Sequence, residues 1–178
     1  MSKNHIQYKI VLFSDLISFK KTINSHTQNN NSIIWLKGNL ELLMRFANEI
    51  HQIIKQKGLN IAIEESIELT QIIKAQTILT SNPENIPQIK KALNNINIGV
   101  FTSEIAECKN AELFEADFVL LGPFEKIGIE PYINLTPLKP KYEWMILNII
   151  IPVFAFGKLS KMDIQKLKDN CLLGDFSD

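Results

Sequence analysis

The sequence predicts an α/β chain folded as a compact (β/α)8 TIM barrel, a single domain over residues 1–178 whose last helix is missing or vestigial. Three observations predict it. Short apolar runs rich in β-branched residues alternate with amphipathic stretches along the whole chain, which is how strands of a helix-covered parallel sheet read. The runs number eight, the strand count of the barrel. Several of the runs end in glycine or in charged residues, as ligand-binding strand ends of that fold do. With 178 residues the barrel would fall below the roughly 250 typical of the fold. An open doubly wound sheet built from the same elements is the alternative.

The strand runs are 8–13 (YKIVLF), 33–36 (IIWL), 60–63 (NIAI), 77–80 (TILT), 97–101 (NIGVF), 117–121 (DFVLL), 151–156 (IPVFAF) and 171–173 (CLL). Between the first two, 15–25 carries Leu16, Phe19 and Ile23 on one weakly amphipathic face. The clearest helix covers 39–57, with Leu43, Phe46, Ala47, Ile50, Ile53 and Ile54 at helical spacing, Asn39 as its N-cap and Gly58 after its end. Ser66 caps a helix bearing Leu69, Ile72 and Ile73, and Asn85 caps one bearing Ile86, Ile89 and Leu93. Ser103 and Ser160 head two more, with Asp163 three residues past Ser160 in a capping-box-like arrangement. Residues 26–32 and 133–142 read as loops, and 144–156 as a short helix entering a buried strand. The inward set is written as Ile10, Leu12, Ile34, Ile61, Ile63, Ile98, Val100, Phe118, Leu120, Val153 and Ala155, or the alternating neighbours if the register slips by one.

Composition narrows the function classes. The formal net charge is zero, so no nucleic-acid footprint is expected. The greasiest segment is shorter than the roughly 20 residues of a membrane span and is interrupted by Asn148 and Pro152, so no membrane partner is expected. Cys108 and Cys171 lie far apart with no metal spacing, which suits a reducing, cytoplasmic setting. His5, His26 and His51 fall in a tail, a loop and a helix, away from every strand end, so histidine-based nucleophilic or metal chemistry is disfavoured and surface positions are expected.

The strand ends form a polar rim. The third ends in Glu64-Glu65, of which alternation lets at most one enter the barrel mouth. That carboxylate could bind Mg2+ together with a substrate phosphate, or the two could simply be solvated ahead of a helix N-terminus. The sixth runs into Gly122-Pro123 with Glu125 and Lys126 beyond. The last two run into Gly157-Lys158 and Gly174-Asp175, at the loops where this fold usually binds phosphate through backbone N–H groups.

The stretch NIGVFTSEIAECKNAELFEADFVLLGPFEK (97–126) resembles the core of the thiamine phosphate synthase family and its thiazole tautomerase (TenI) relatives. GVFTS (99–103) and ADFVLLGPF (116–124) stand where that family has a Gly-Val-Ser strand and an Ala-Asp-Tyr/Phe strand ending in Gly-Pro. IPVFAFGKLSKMDIQKL (151–167) is similar to its Pro-Val-x-Ala-x-Gly-Gly-Ile strand and following helix, and the order of motifs extends over about residues 8–175. The resemblance implies a barrel that joins a hydroxymethylpyrimidine diphosphate to a thiazole phosphate with Mg2+ assistance. It implies catalytic roles for Lys37, Thr102 and Lys126, a metal carboxylate at Glu65, and a substrate-phosphate nest of Gly157, Lys158 and Gly174. A small-molecule phosphate ligand and a possible homo-oligomer complete the expectation.

This chain departs from the family pattern at many of these positions. The Gln-x-Arg-x-Lys strand end reads Trp35, Lys37 and Asn39, and the Asn-Asp pair after the third strand reads Glu64-Glu65. The second metal Asp reads Asn85, the Ser-Thr pair Phe101-Thr102, and the tautomerase His reads Ser103. The Thr-x-Thr-Lys loop is missing, Gly-Gly has become Gly157-Lys158, and Asp175 sets a negative charge beside the phosphate nest. So many changes imply altered substrate use or weakened catalysis, with a non-catalytic or repurposed phosphate-ligand-binding barrel as the alternative to a synthase.

Overall fold

The computed structural model describes residues 7–25, 32–124, 148–157 and 172–173. The elements follow in the order β1 (Gln7–Phe13), α1 (Leu16–Ser25), β2 (Ser32–Gly38), α2 (Leu40–Arg45), α3 (Ala47–Lys57), β3 (Asn60–Glu64), α4 (Ile67–Ile73) and β4 (Thr77–Thr80). A 3-10 turn (Pro83–Asn85), α5 (Ile86–Ala92), β5 (Asn97–Thr102), α6 (Ile105–Leu113), β6 (Phe118–Phe124), β7 (Val153–Gly157) and β8 (Leu172–Leu173) complete them. The strands pair in sequence order from β1 to β8, every pair parallel, which is the topology of the (β/α)8 barrel. Among the described residues no pairing joins β8 to β1. None of the described helices is long and apolar enough to cross a membrane.

The sheet is strongly curled. Neighbouring strands lie about 4.8 Å apart, so β2 and β5 would be separated by roughly 14 Å on a flat sheet. Yet the rings of Trp35 on β2 and Phe101 on β5 have centroids 5.3 Å apart. Trp35, Ala62, Leu79, Phe118, Leu120 and Phe154 form one inner cluster, joined by Ile10, Ile33 and Phe101, so β1 to β7 all send side chains to the same interior. Gly99 makes room there: a Cβ at this position would sit 2.4 Å from the Phe118 ring and 2.7 Å from Leu79.

Outside the sheet the helices close two further clusters. Val11, Ile34, Leu36, Ile61 and Ile63 pack against α1, α3 and α4, and Ile78, Ile98, Val100, Val119, Leu121 and Val153 against α5 and α6. This corrects the expected inward set. Ile10, Phe118 and Leu120 do face the interior, but Ile34, Ile61, Ile63, Ile98, Val100 and Val153 face the helices. Ala155 shares the register of Leu121. Leu12 has the inward register beside Lys37 but lies at the mouth, 74% exposed. Strands apolar on both faces carry no alternation from which the register could be read.

Several ends differ from expectation. The single helix over 39–57 is broken at Phe46, whose φ of −107° and ψ of 16° leave the helical region while its ring packs on Phe13 at 6.0 Å. Asn39 and Ser66 cap as expected, accepting from Leu42 N and Leu69 N. Asn85 stands at the N-cap of α5 as expected but makes no side-chain cap hydrogen bond, while Asn82 caps the preceding 3-10 turn, accepting from Glu84 N. The N-cap of α6 is Glu104 rather than Ser103, and its backbone N–H is held by the Thr102 hydroxyl at 2.9 Å. Gly122 and Pro123 lie within β6, where the pairing with β7 shifts register between Leu121 and Phe124 and Gly122 adopts a φ of 155°. The strand therefore continues through an irregular Gly-Pro segment to Phe124 instead of ending at Leu121. The expected helix after Ser160 and the loop over 133–142 lie outside the described residues.

Candidate functional site

The register decides which strand-end side chains enter the mouth. Trp35 pairs with Ala62, and both belong to the inner cluster, so Lys37 and Glu64, two residues further along each strand, also point inward. Their charges meet: Lys37 Nζ lies 2.8 Å from Glu64 Oε2, with side chains 21% and 27% exposed. The same carboxylate oxygen accepts the indole N–H of Trp35 at 3.1 Å. Lys37 Nζ stands 4.5 Å from the Trp35 ring centroid and 5.7 Å from that of Phe101. The ammonium is thus held by a carboxylate and two aromatic faces. Among the described residues Lys37 and Glu64 are the only charged side chains at inward strand positions, and together they leave that part of the mouth electrically neutral.

Glu65 goes the other way. It leaves β3 in a left-handed conformation, φ 59°, which turns its carboxylate toward the end of β4. Oε1 accepts from Ser81 N at 2.6 Å and Ser81 Oγ at 2.8 Å, and Oε2 from Thr80 Oγ1 at 3.0 Å. Asn85 joins the same knot, its Nδ2 donating to Thr80 Oγ1 at 3.4 Å. The two positions where the family resemblance puts metal carboxylates are therefore brought together, on the buried Thr80 hydroxyl.

Thr102 follows the inward Phe101 and spends its hydroxyl on the turn into α6. Gly157 ends β7. Lys126, Lys158, Gly174, Glu125 and Asp175 lie outside the described residues. So do His5 and His26. His51, expected at the surface, is half-buried, and its Nδ1 lies 2.7 Å from the Ile73 carbonyl oxygen, at the opposite end of the barrel from the mouth.

A cleft of about 500 Å³ opens at the ends of β2 and β3 on their helix side, between Leu36, Leu40 and Leu43 and Ile63, Ser66 and Leu69, with Lys37, Glu64 and Glu65 also contributing to its lining. A divalent cation fits these residues poorly. A magnesium seat offers carboxylate oxygens free to take up a hard cation alongside waters and substrate phosphate. Here Glu64 is engaged by Lys37 and Trp35, and Glu65 by Ser81 and Thr80. Among the described residues no three of His, Cys, Asp or Glu gather in a group that could hold a metal.

Glu64, Trp35 and Phe101 are the residues whose joint role sequence reasoning did not assemble. The signal was present in part. Trp35 and Lys37 are two apart on one strand and must share a face. What the sequence lacks is the pairing of β2 with β3 that sets Glu64, not Glu65, opposite them.

Comparison with known proteins agrees with the fold. A family model described as thiamine monophosphate synthase matches residues 29–171. The chain belongs to the thiamine monophosphate synthase family. Among solved structures, a thiamine phosphate pyrophosphorylase from Pyrococcus furiosus superposes with a TM-score of 0.67 at 14% identity, covering 97% of this chain and 86% of that one. A structure described as native KDPGal gives 0.65 at 14% identity, over 100% and 84% of the two chains. A Xanthomonas albilineans dihydropteroate synthase gives 0.60 at 13% identity, over 98% and 88%. At such identities these neighbours speak for the barrel fold alone. No curated protein sequence matches the chain. In this member of the thiamine monophosphate synthase family, the one inward cation among the described residues is paired with Glu64.

Proposed function

We propose that this chain is a divergent thiamine phosphate synthase-like barrel that holds a phosphate-bearing small molecule of that chemistry at its mouth, with synthase turnover weak or lost. Family membership and the barrel support the ligand class. The observation that carries the loss of turnover is the Lys37–Glu64 ion pair. Joining a pyrimidine diphosphate to a thiazole phosphate requires stabilising the charge that develops on the departing diphosphate. Preorganised cations supply that stabilisation, and losing one such group costs about 10²–10³ in rate. A lysine bound to an internal carboxylate at 2.8 Å has little positive field left to give. The phosphate nest is assigned, in this reading, to Gly157, Lys158 and Gly174 as the family resemblance implies, with Lys126 as a further cation and Thr102 shaping the turn after β5. Any Mg2+ would arrive with the substrate phosphates.

The test is a paired assay on the purified protein. Hydroxymethylpyrimidine diphosphate, thiazole phosphate and Mg2+ are supplied together and thiamine phosphate is measured; thiazole phosphate alone is titrated by calorimetry. The expected result is measurable binding of the thiazole phosphate with little or no product. Turnover of about 1 per second or faster, within the ordinary range of enzymes, would overturn the reading. Absence of any binding would show that the family ligand has been abandoned.

A further inference from the structure

The Lys37–Glu64 contact has the form of a ligand contact made by the protein with itself. Glu64 Oε2 receives two donors, the ammonium of Lys37 at 2.8 Å and the indole N–H of Trp35 at 3.1 Å. Lys37 is fixed from the other side by the faces of Trp35 and Phe101. An oxygen of a bound phosphate would make the same two contacts at the same place. Both groups that hold Glu64 come from β2, and the register of β2 on β3 is set by a buried ladder, so the arrangement exists without a ligand.

We infer that Glu64 is the specificity-determining residue of the mouth: an internal anion that occupies Lys37 and excludes a phosphate or diphosphate group from this corner. The inference rests on the reading above that the site takes a ligand of the family's chemistry, and says where that ligand's anionic end does not go. Two effects act together. A tethered carboxylate competes at an effective concentration that a free ligand in solution does not reach. Its charge also repels an incoming anion at short range, most strongly where rings exclude water. The cleft that remains open lies at the ends of β2 and β3 on their helix side, lined by Leu36, Leu40, Leu43 and Ile63 as well as by the carboxylates. That surface suits an uncharged part of a ligand.

The experiment titrates inorganic pyrophosphate by calorimetry into the wild-type protein, Glu64→Gln, and the double variant Glu64→Gln with Lys37→Met. Glutamine keeps the length of the side chain and an oxygen for the Trp35 N–H while removing the charge. Glu64→Gln should bind pyrophosphate about tenfold more tightly or better, the scale of one hydrogen bond to a charged group. The gain should vanish in the double variant. Equal affinity of wild type and Glu64→Gln, including no detectable binding by either, overturns the inference. So does a gain that survives Lys37→Met, which would place the anion elsewhere on the rim. If Glu64→Gln does not fold, Glu64→Asp carries the same test: its shorter arm withdraws from Nζ and should tighten binding in the same direction by less. Failure of the functional reading is distinguishable, because it appears as synthase turnover by the wild type and pyrophosphate alone does not report on it.

Discussion

Glu64 and Glu65 are neighbours in sequence and end in different parts of the molecule. Glu64 keeps the extended strand and delivers its carboxylate to Lys37 inside the mouth. Glu65 takes a left-handed turn and ties the end of β3 to Ser81 and Thr80 at the end of β4. The first region joins two opposite charges beneath aromatic rings; the second joins one charge to a backbone N–H and two hydroxyls. One carboxylate shapes what the mouth will accept, and the other holds the rim together. The difference comes from strand parity and one backbone angle, with no difference in residue type.

The largest expected effect lies beneath the Glu64 side. Trp35 is 1% exposed, supports Lys37 with its ring and donates to Glu64. Trp35→Ala should cost about 3–5 kcal/mol in denaturant unfolding, the range for deleting a large buried aromatic side chain. A loss below about 1 kcal/mol would mean that the interior does not close around this ring.

Next comes the pair itself. Glu64→Gln leaves Lys37 without its counter-charge among aromatic rings. Stranding a fully buried charge costs about 3–5 kcal/mol, and with roughly a fifth of the lysine exposed the expected loss is about 1–2 kcal/mol by the same unfolding measurement. Glu65→Ala should cost less, about 1 kcal/mol, because the side chain is exposed and water can replace part of what it gives Ser81 and Thr80. If Glu65→Ala altered pyrophosphate affinity as much as Glu64→Gln does, the division of labour between the two would fail.

How much of this was legible in the sequence follows from what each feature depends on. Strand runs and the caps at Asn39 and Ser66 depend on local chemistry, and they read correctly. The break at Phe46 comes where its ring meets Phe13, more than thirty residues away in the chain, and the helical periodicity ran straight through it. The inward faces of β2, β3, β5 and β7 depend on register, which strands apolar on both sides do not display. For the same reason Lys37 could be named from its place at a strand end, whereas its partner needed the pairing of β2 with β3. That only one of Glu64 and Glu65 enters the mouth followed from alternation alone; which one did not.

A third carboxylate sharpens the contrast from the structural side and gives the smallest effect. Asp15 heads α1, and its acidity is raised, its pKa lying below the ordinary aspartate value, first by the Ser18 amide, then by the Ser18 hydroxyl, with smaller help from Ser14 and the Ile17 amide. A pKa lowered on folding contributes stability that is present above the unfolded value and lost as pH falls through the folded one. Comparing wild type with Asp15→Asn should therefore show a small stability difference near neutral pH that disappears in acid. A difference that grew toward low pH would contradict the assignment of Asp15 as a charged cap.

The central claim is that Lys37 and Glu64 are bound to each other in the mouth. A double-mutant cycle in unfolding free energy measures it most directly, using Lys37→Met, Glu64→Gln and the two combined. The account predicts a coupling of about 1–3 kcal/mol, above the range of exposed ion pairs and below that of fully buried ones. A coupling of about 0.3 kcal/mol or less would show that the two charges act independently, leaving Lys37 free to hold a phosphate.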